Sequence, residues 1–168
     1  MRIGFKGLGA AAAAGLVLGA FGPAVGAPTP KQTPYFASIS ASKARMRTGP
    51  ARTYPARWLY RRADLPVKVL AVYDRGQWLK IEDPGGTQGW MLGTLISAKT
   101  RTALVTGSIA ALRESPEPGG RLLWRAAPGV VGRISKCAGG WCWFDARGRG
   151  GYVETSRLWG VAPGETLD

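Results

Sequence analysis

Two cysteines are the residues of this chain whose type and spacing predict a specific chemistry. Cys137 and Cys142 stand on either side of the segment Ala138-Gly139-Gly140-Trp141. If Gly139 and Gly140 form a two-residue turn, the two thiols face each other across adjacent strands, within reach of a disulfide. The other chemistry open to the pair is a redox or metal site, but two thiolates do not complete a tetrahedral zinc site and the chain has no His. We expect a structural disulfide and no metal or cofactor.

The residue inventory excludes the commonest hydrolase mechanisms. Without His, neither a Ser-His-Asp nor a Cys-His relay can be assembled. Glu82 and Asp83 are adjacent, so on a strand their carboxylates point to opposite faces and do not form an acid–base pair. The Gly-Gly pairs stand in turn contexts and lack the strand-to-helix setting of a phosphate-binding loop. We therefore predict that the chain is not an enzyme and has no catalytic residues.

Arginines and aromatic residues are concentrated in one segment without acidic residues. The net charge is +13, which points to an anionic partner. Eight basic residues and no Asp or Glu lie between positions 28 and 62. On a strand, Arg45 and Arg47 would share the outer face, with Met46 directed inward. The alternative is an ordinary solvated basic surface, in which arginines also cover aromatic rings. The candidate ligand-binding residues are Arg45, Arg47, Tyr54, Trp58, Tyr60, Arg61 and Arg62.

The N-terminal 27 residues have the pattern of a secretory signal peptide. Arg2 and Lys6 precede an uncharged apolar run, Leu8–Phe21, and Gly22-Pro23 follows it. A membrane anchor is the alternative, but the run is shorter than the roughly 20 residues that a spanning helix needs. We expect an exported protein, periplasmic or extracellular, with no membrane span after signal removal. Export also favours the disulfide.

The rest of the chain contains one unit twice, and this repeat must position the residues above. Three pairs of landmarks are 66 residues apart, and the offset falls to 62 at a fourth: Arg47 and Arg113, Pro50 and Pro116, Trp58 and Trp124, then Gly89 and Gly151. A nearly constant offset that shrinks at loops indicates a duplicated domain. We divide the mature chain into a Pro-rich leader (28–36), a first unit (37–105), a second unit (106–161) and a C-terminal tail (162–168).

Each unit is predicted to consist of short strands separated by turns, and no window beyond the N-terminal segment has a sustained helical period. The fold class is therefore all-β, a sandwich or small barrel in each unit. The expected strands are Val67–Tyr73, Trp78–Glu82 and Gln88–Leu92 in the first unit, and Gly132–Cys137, Trp141–Asp145 and Tyr152-Val153 in the second.

Several motifs of the first unit resemble a known family. They are Ala44–Pro50 (ARMRTGP), Tyr54-Pro55, Trp58, Leu65–Leu70 (LPVKVL), Trp78–Ile81 (WLKI), Asp83–Gly86 (DPGG), Gly89-Trp90 and a closing run, Arg101–Val105. The family is the bacterial SH3 domain, a five-stranded SH3-like barrel of exported bacterial proteins. The second unit resembles a more divergent copy, with Glu114-Ser115-Pro116 in place of Thr-Gly-Pro. The resemblance implies two tandem small SH3-like β-barrels that bind or scaffold at the cell envelope and do not catalyse.

Charge asymmetry and this resemblance together predict an exported binding or scaffolding protein. Its partner would be an anionic or peptide-bearing envelope component such as peptidoglycan, engaged through the Arg-rich, aromatic segment. An alternative is an adaptor that docks on a periplasmic protein, such as a cell-wall hydrolase, through a sheet edge or groove. Nucleic-acid binding is a third use of a basic barrel. It requires the protein to stay inside the cell, so we expect no nucleic-acid partner.

Overall fold

The computed structural model describes residue 1 and residues 32–168, so the predicted signal peptide lies outside the described residues apart from Met1. Within 32–168 no helix is long and apolar enough to cross a membrane. Among the described residues, single turns of 3₁₀ helix occur at Gly93–Leu95 and Thr155–Arg157, and a tight turn with positive φ occurs at Asp74–Gly76. The strands are β1 (Tyr35–Ile39), β2 (Ala44–Arg47), β3 (Ala56–Tyr60), β4 (Pro66–Tyr73), β5 (Trp78–Glu82), β6 (Gln88–Leu92), β7 (Ile96–Ser97), β8 (Thr102–Val105), β9 (Ala110–Arg113), β10 (Leu122–Ala126), β11 (Val131–Ala138), β12 (Trp141–Ala146), β13 (Arg149–Glu154) and β14 (Leu158–Trp159).

The strands form two antiparallel sheets with the same topology. The first sheet has the order β3-β2-β6-β5-β4-β1-β7, and the second has the order β10-β9-β13-β12-β11-β8-β14. Adding seven to each strand number of the first sheet gives the second, so the chain contains one fold twice. The predictions of an all-β fold and of a duplicated unit are confirmed.

Each sheet encloses its own apolar core, because alternate residues of its strands point inward. In the first sheet Val67, Val69 and Ile81 are fully buried, whereas Lys68 between the two valines is partly exposed. The second sheet buries Phe144 and Leu112 in the same manner. The predicted strands of the first unit are confirmed, β5 and β6 with the bounds expected from their flanking turns.

The structure corrects the expected division of the chain at three places. Tyr35 and Phe36, assigned to the leader, belong to β1, which pairs with β4. The run Arg101–Val105 was expected to close the first unit, but β8 within it pairs with β11 and β14 of the second sheet. A short apolar strand does not specify its partner, because pairing depends on residues distant in sequence. The tail is also part of the second fold, since the Leu167 amide donates to the Cys137 carbonyl at 3.0 Å.

The two sheets are in contact through their first strands, and residues 32–168 fall within one compact unit. Ser38 of β1 donates its hydroxyl hydrogen to the Thr100 carbonyl at 2.8 Å and therefore accepts from Thr102 Oγ1 at 2.6 Å. Ser38 and Thr102 are both buried. Beside them the Phe36 and Trp159 rings meet edge to face, with centroids 5.1 Å apart. The repeats are thus joined by packed contacts as well as by the chain.

Candidate binding surfaces

The hairpin of β2 and β3 places the predicted binding residues on two opposite faces. Arg45 is exposed and pairs with Leu59, whereas the neighbouring Met46 is buried and pairs with Trp58. Directly paired residues of antiparallel strands share a face, so the arginine and the tryptophan point in opposite directions. The inward direction of Met46 and the outward direction of Arg45 agree with the sequence prediction. One continuous face of arginines and aromatic rings is not formed.

The outer face of this hairpin carries a cluster of exposed cations. Lys43, Arg45 and Arg61 surround the partly exposed side chain of Leu59 and enclose a depression of about 320 Å³. No carboxylate lines it. We call these four residues the basic outer face. It contains two of the seven predicted binding residues, Arg45 and Arg61.

Arg47 and Tyr54 support the loop between β2 and β3. The Arg47 guanidinium donates to the Tyr54 carbonyl at 2.7 Å across that loop. The Tyr54 ring lies over Gly49, where an added Cβ would approach it to 2.6 Å. The arginine is therefore engaged by the backbone, although about half of the tyrosine side chain remains exposed.

Tyr60 is engaged in a hydrogen bond within the first sheet. Its hydroxyl donates to Asp83 Oδ2 at 2.8 Å. The other oxygen of Asp83 accepts from the Gly85 and Thr87 amides at 3.0 and 2.8 Å. Burial raises the pKa of Tyr60 well above its usual range, and the hydrogen bond to the Asp83 carboxylate adds to the shift. Trp58, two residues earlier on β3, is more than half exposed.

Arg62 lines a groove on the second sheet that none of the other six predicted residues lines. The groove has a volume of about 620 Å³ and a floor of apolar side chains that includes Leu112, Val130 and Val131. Its rim is lined by an aromatic ring and three arginines, namely Trp124, Arg62, Arg147 and Arg149. Arg125 also borders the groove, but it lies between Trp124 and Ala126 on β10, so its side chain points to the opposite face. We call this feature the second-sheet groove.

The Trp124 end of the second-sheet groove is strongly cationic. The Arg149 guanidinium carbon lies 5.3 Å from the centroid of the Trp124 ring, within cation–π range. No Asp or Glu lines the groove. An adjoining depression of about 390 Å³ shares Arg62 and Arg147 and adds the carboxylates of Asp64 and Asp145. Arg149, beside Trp124, therefore lines only the groove that has no carboxylate, whereas Arg62 and Arg147 also line the depression that contains two.

The sequence contained a signal for this groove that the charge argument did not use. Trp124 stands 66 residues after Trp58, and the same offset aligns Tyr60 with Ala126. The pairings agree, because Ala44 pairs with Tyr60 in the first sheet and Ala110 with Ala126 in the second. Aligning the two repeats therefore shows that the second has the small side chain of Ala126 where the first has the large side chain of Tyr60.

Cys137 and Cys142 form a disulfide, as predicted. Ala138 pairs with Trp141 across a two-residue turn, in which Gly139 and Gly140 both have positive φ, of 56° and 83°. Such angles suit a tight hairpin turn and are readily adopted by glycine. Both cysteines are buried in the second core. Within residues 32–168 no group of three or more His, Cys, Asp or Glu side chains could hold a metal ion.

A family model for the bacterial SH3 domain matches residues 40–97 and 106–160. The first segment contains β2–β7 and the second contains β9–β14, which is six of the seven strands of each sheet. The chain belongs to the bacterial SH3 domain family. Bacterial SH3 domains are envelope-associated binding modules, and that general class applies to this tandem pair.

Other comparisons add little to this assignment. Two solved structures similar to the tandem pair are NlpC1 and NlpC2 from Trichomonas vaginalis, at 15% and 14% identity with TM-scores of 0.35 and 0.34. The matches cover 77% of this chain but only 47% and 49% of those chains. A likeness at this level bears on neither mechanism nor ligand. No curated protein matches the chain.

Proposed function

We propose that this protein is an exported, non-catalytic binding or scaffolding module of the bacterial cell envelope. It engages an anionic or peptide-bearing component, such as peptidoglycan, through the basic outer face of the first sheet. Membership of the bacterial SH3 family supports the envelope setting. The proposed signal peptide, residues 1–27, supplies the route, and an exported protein has no nucleic-acid partner in its normal work.

The observation that carries this proposal is a set of exposed cations with no acidic neighbour. In the basic outer face, Lys43, Arg45 and Arg61 have no ion-pair partner among residues 32–168, where the ion pairs involve Arg101 and Arg121. Unpaired cations grouped around an apolar side chain attract an anionic polymer and provide a place for its less polar parts to rest.

The carboxylates considered for catalysis support a non-catalytic assignment. Gln88 Nε2 donates to Glu82 Oε2 at 2.7 Å. Successive side chains alternate, so Glu82 and the neighbouring Asp83 point to opposite sides. Asp83 accepts from Tyr60 and from two amides of its own turn. Each of these acids therefore has a structural role, and the chain offers no His to act as a base.

Binding to purified peptidoglycan sacculi tests the proposal. We expect that removing the three cations of the basic outer face weakens binding about tenfold, because each exposed ionic contact contributes up to about 1 kcal/mol. The variant is Lys43→Gln with Arg45→Gln and Arg61→Gln. Its control removes the same number of exposed charges elsewhere on the described surface, by Arg52→Gln, Arg75→Gln and Lys99→Gln.

Two results would contradict the proposal. One is equal loss in the test and control variants, which would mean that only net charge matters. The other is no binding by the mature wild-type protein. N-terminal sequencing of the protein isolated from separated cell fractions checks the export step independently. A protein that keeps residues 1–27 and stays in the cytoplasm would remove the envelope setting.

A second candidate function, an adaptor for a partner protein such as a wall hydrolase, is favoured by one observation. Strand β3 lies at the edge of the first sheet, and four of its five residues are exposed. An edge strand can accept an extended segment of another protein. Salt separates the two functions, because binding through exposed cations weakens strongly with ionic strength and backbone pairing does not.

A further inference from the structure

The second-sheet groove exists because two side chains that close the same place in the first sheet are replaced by alanine. Tyr60 pairs with Ala44, and its counterpart Ala126 pairs with Ala110. Asp83 follows the Glu82–Gln88 pair at the end of β5 and accepts the Tyr60 hydroxyl hydrogen.

The counterpart of Asp83 on β12 is Ala146, which follows the Asp145–Gly150 pair and lies opposite Arg149. Both alanines line the groove. The repeats therefore differ in that Tyr60 and Asp83 fill this place in the first sheet, whereas Ala126 and Ala146 leave it open in the second.

The rim of the groove selects for carboxylates. Three arginines, Arg62, Arg147 and Arg149, line a space that no acidic residue lines. A guanidinium group binds a carboxylate through two parallel hydrogen bonds. Asp64 and Asp145 lie in the adjoining depression, where they offset part of the charge of Arg62 and Arg147. The uncompensated end is the one next to Trp124 and Arg149.

The floor of the groove selects for small aliphatic groups. Alanine, valine and leucine side chains line it, and its volume of about 620 Å³ lies within the range of sites that hold small molecules and short peptides. The exposed Trp124 ring adds a flat apolar wall. A phosphate polymer would satisfy the arginines but would leave this floor without apolar contact. A short peptide satisfies both.

We propose that the second-sheet groove binds a short acidic peptide with small aliphatic side chains, and that the Tyr60–Asp83 pair closes the equivalent groove of the first sheet. Carboxylates of the peptide pair with Arg149, beside Trp124, and with Arg147, while its methyl groups cover Leu112, Ala126 and Ala146. This site is separate from the basic outer face, so either can fail without the other.

Calorimetry with the full mature chain tests the proposal. The probe is the peptide Ala-Glu-Ala-Ala with a free carboxyl terminus, and its control is Ala-Gln-Ala-Ala amide, which has the same size and no carboxylate. We expect the acidic peptide to bind at least tenfold more tightly. We also expect Arg147→Gln with Arg149→Gln to weaken it about tenfold or more, because each change removes charge-assisted hydrogen bonds.

The matched control carries Arg52→Gln and Arg75→Gln, which remove the same charge from exposed positions outside both proposed surfaces. We expect its affinity for the peptide to stay within about twofold of wild type. Equal weakening by the two double variants would overturn the proposal. So would equal binding of the acidic and amidated peptides, or tighter binding of inorganic polyphosphate that displaces the peptide.

A second pair of variants tests the closing residues directly. Ala126→Tyr with Ala146→Asp places the first-sheet pair in the groove and should abolish peptide binding. The single change Ala126→Leu fills part of the floor and should weaken binding several-fold. Circular dichroism and thermal melting establish that each variant is folded. Undiminished binding by either variant, once shown to be folded, would overturn the proposal. If neither variant folds, the Arg147 and Arg149 variant tests the proposal instead.

Discussion

The hydrogen bond from Tyr60 to Asp83 gives the sharpest prediction for the stability of the first sheet. Tyr60→Phe removes only the hydroxyl that donates to the carboxylate at 2.8 Å. Hydrogen bonds to charged groups contribute about 1.5–3 kcal/mol, and the partial exposure of Tyr60 places the expected loss at about 1.5 kcal/mol. Asp83 keeps its two backbone donors, so the turn that it caps should persist. Urea unfolding at pH 7 measures the change.

The same hydrogen bond makes stability depend on alkaline pH. The fold raises the pKa of Tyr60 above its ordinary value of 10.0, because burial and Asp83 both disfavour the phenolate. The unfolded chain therefore loses this proton first as the pH rises. The stabilisation is fully present below pH 10 and declines above it. We expect wild type to lose free energy of unfolding more steeply than Tyr60→Phe between pH 10 and pH 11.

The control for both measurements is Tyr54→Phe, which removes a hydroxyl from an exposed side chain. It should change the free energy of unfolding by less than about 0.5 kcal/mol. Equal losses in the two variants, or parallel alkaline curves for wild type and Tyr60→Phe, would refute the assignment of Tyr60 and Asp83 as a stabilising pair.

Three further changes test the rest of the fold. Cys137→Ala with Cys142→Ala should lower the free energy of unfolding by about 2 kcal/mol in urea titrations. The entropic part is small because the sequence separation of the two cysteines is only 5, and the loss of two buried side chains adds to it. A loss below 1 kcal/mol would contradict this. Ser38→Ala should lower the free energy of unfolding by about 1–3 kcal/mol, because the buried Thr102 hydroxyl on β8 loses its acceptor. An unchanged free energy of unfolding would show that this contact between the sheets does not contribute to stability. Gly132→Ala should lower the free energy of unfolding by about 1–3 kcal/mol, because the added Cβ would lie 2.6 Å from the Asp145 carbonyl oxygen and from the Phe144 ring. The control Gly119→Ala has open space around it and should cost under 1 kcal/mol. Thermal melting of both variants measures the difference.

Local sequence patterns predicted much of each sheet. From Leu79 to Glu82, β5 alternates between buried and partly exposed side chains. The strand ends at Asp83-Pro84-Gly85-Gly86, a turn that residues close in sequence specify. The Gly139-Gly140 turn likewise predicted the disulfide, because a two-residue hairpin determines which side chains face each other. The resemblance between the repeats extended this reasoning from one unit to the other.

The division between the units and the placement of the charges depended on distant pairings. Nothing local assigns β8 to the second sheet, since the residues that pair with it are 27 or more positions away. The basic segment was identified from composition alone. Its separation into two faces follows from the register of β2 against β3, which pairs Arg45 with Leu59 and Met46 with Trp58.

The sequence by itself determined that the chain is a duplicated, all-β, strongly basic protein with one disulfide and without histidine. These properties follow from composition, turn residues and periodicity, which act over a few residues. Only the tertiary structure decided where the cations meet apolar surface. The second-sheet groove combines Arg62 from the first repeat with Trp124 and Arg149 from the second, and its depth comes from the small side chains of Ala126 and Ala146. The groove forms because these small side chains leave space between larger neighbours, and those neighbours come together only when the chain folds.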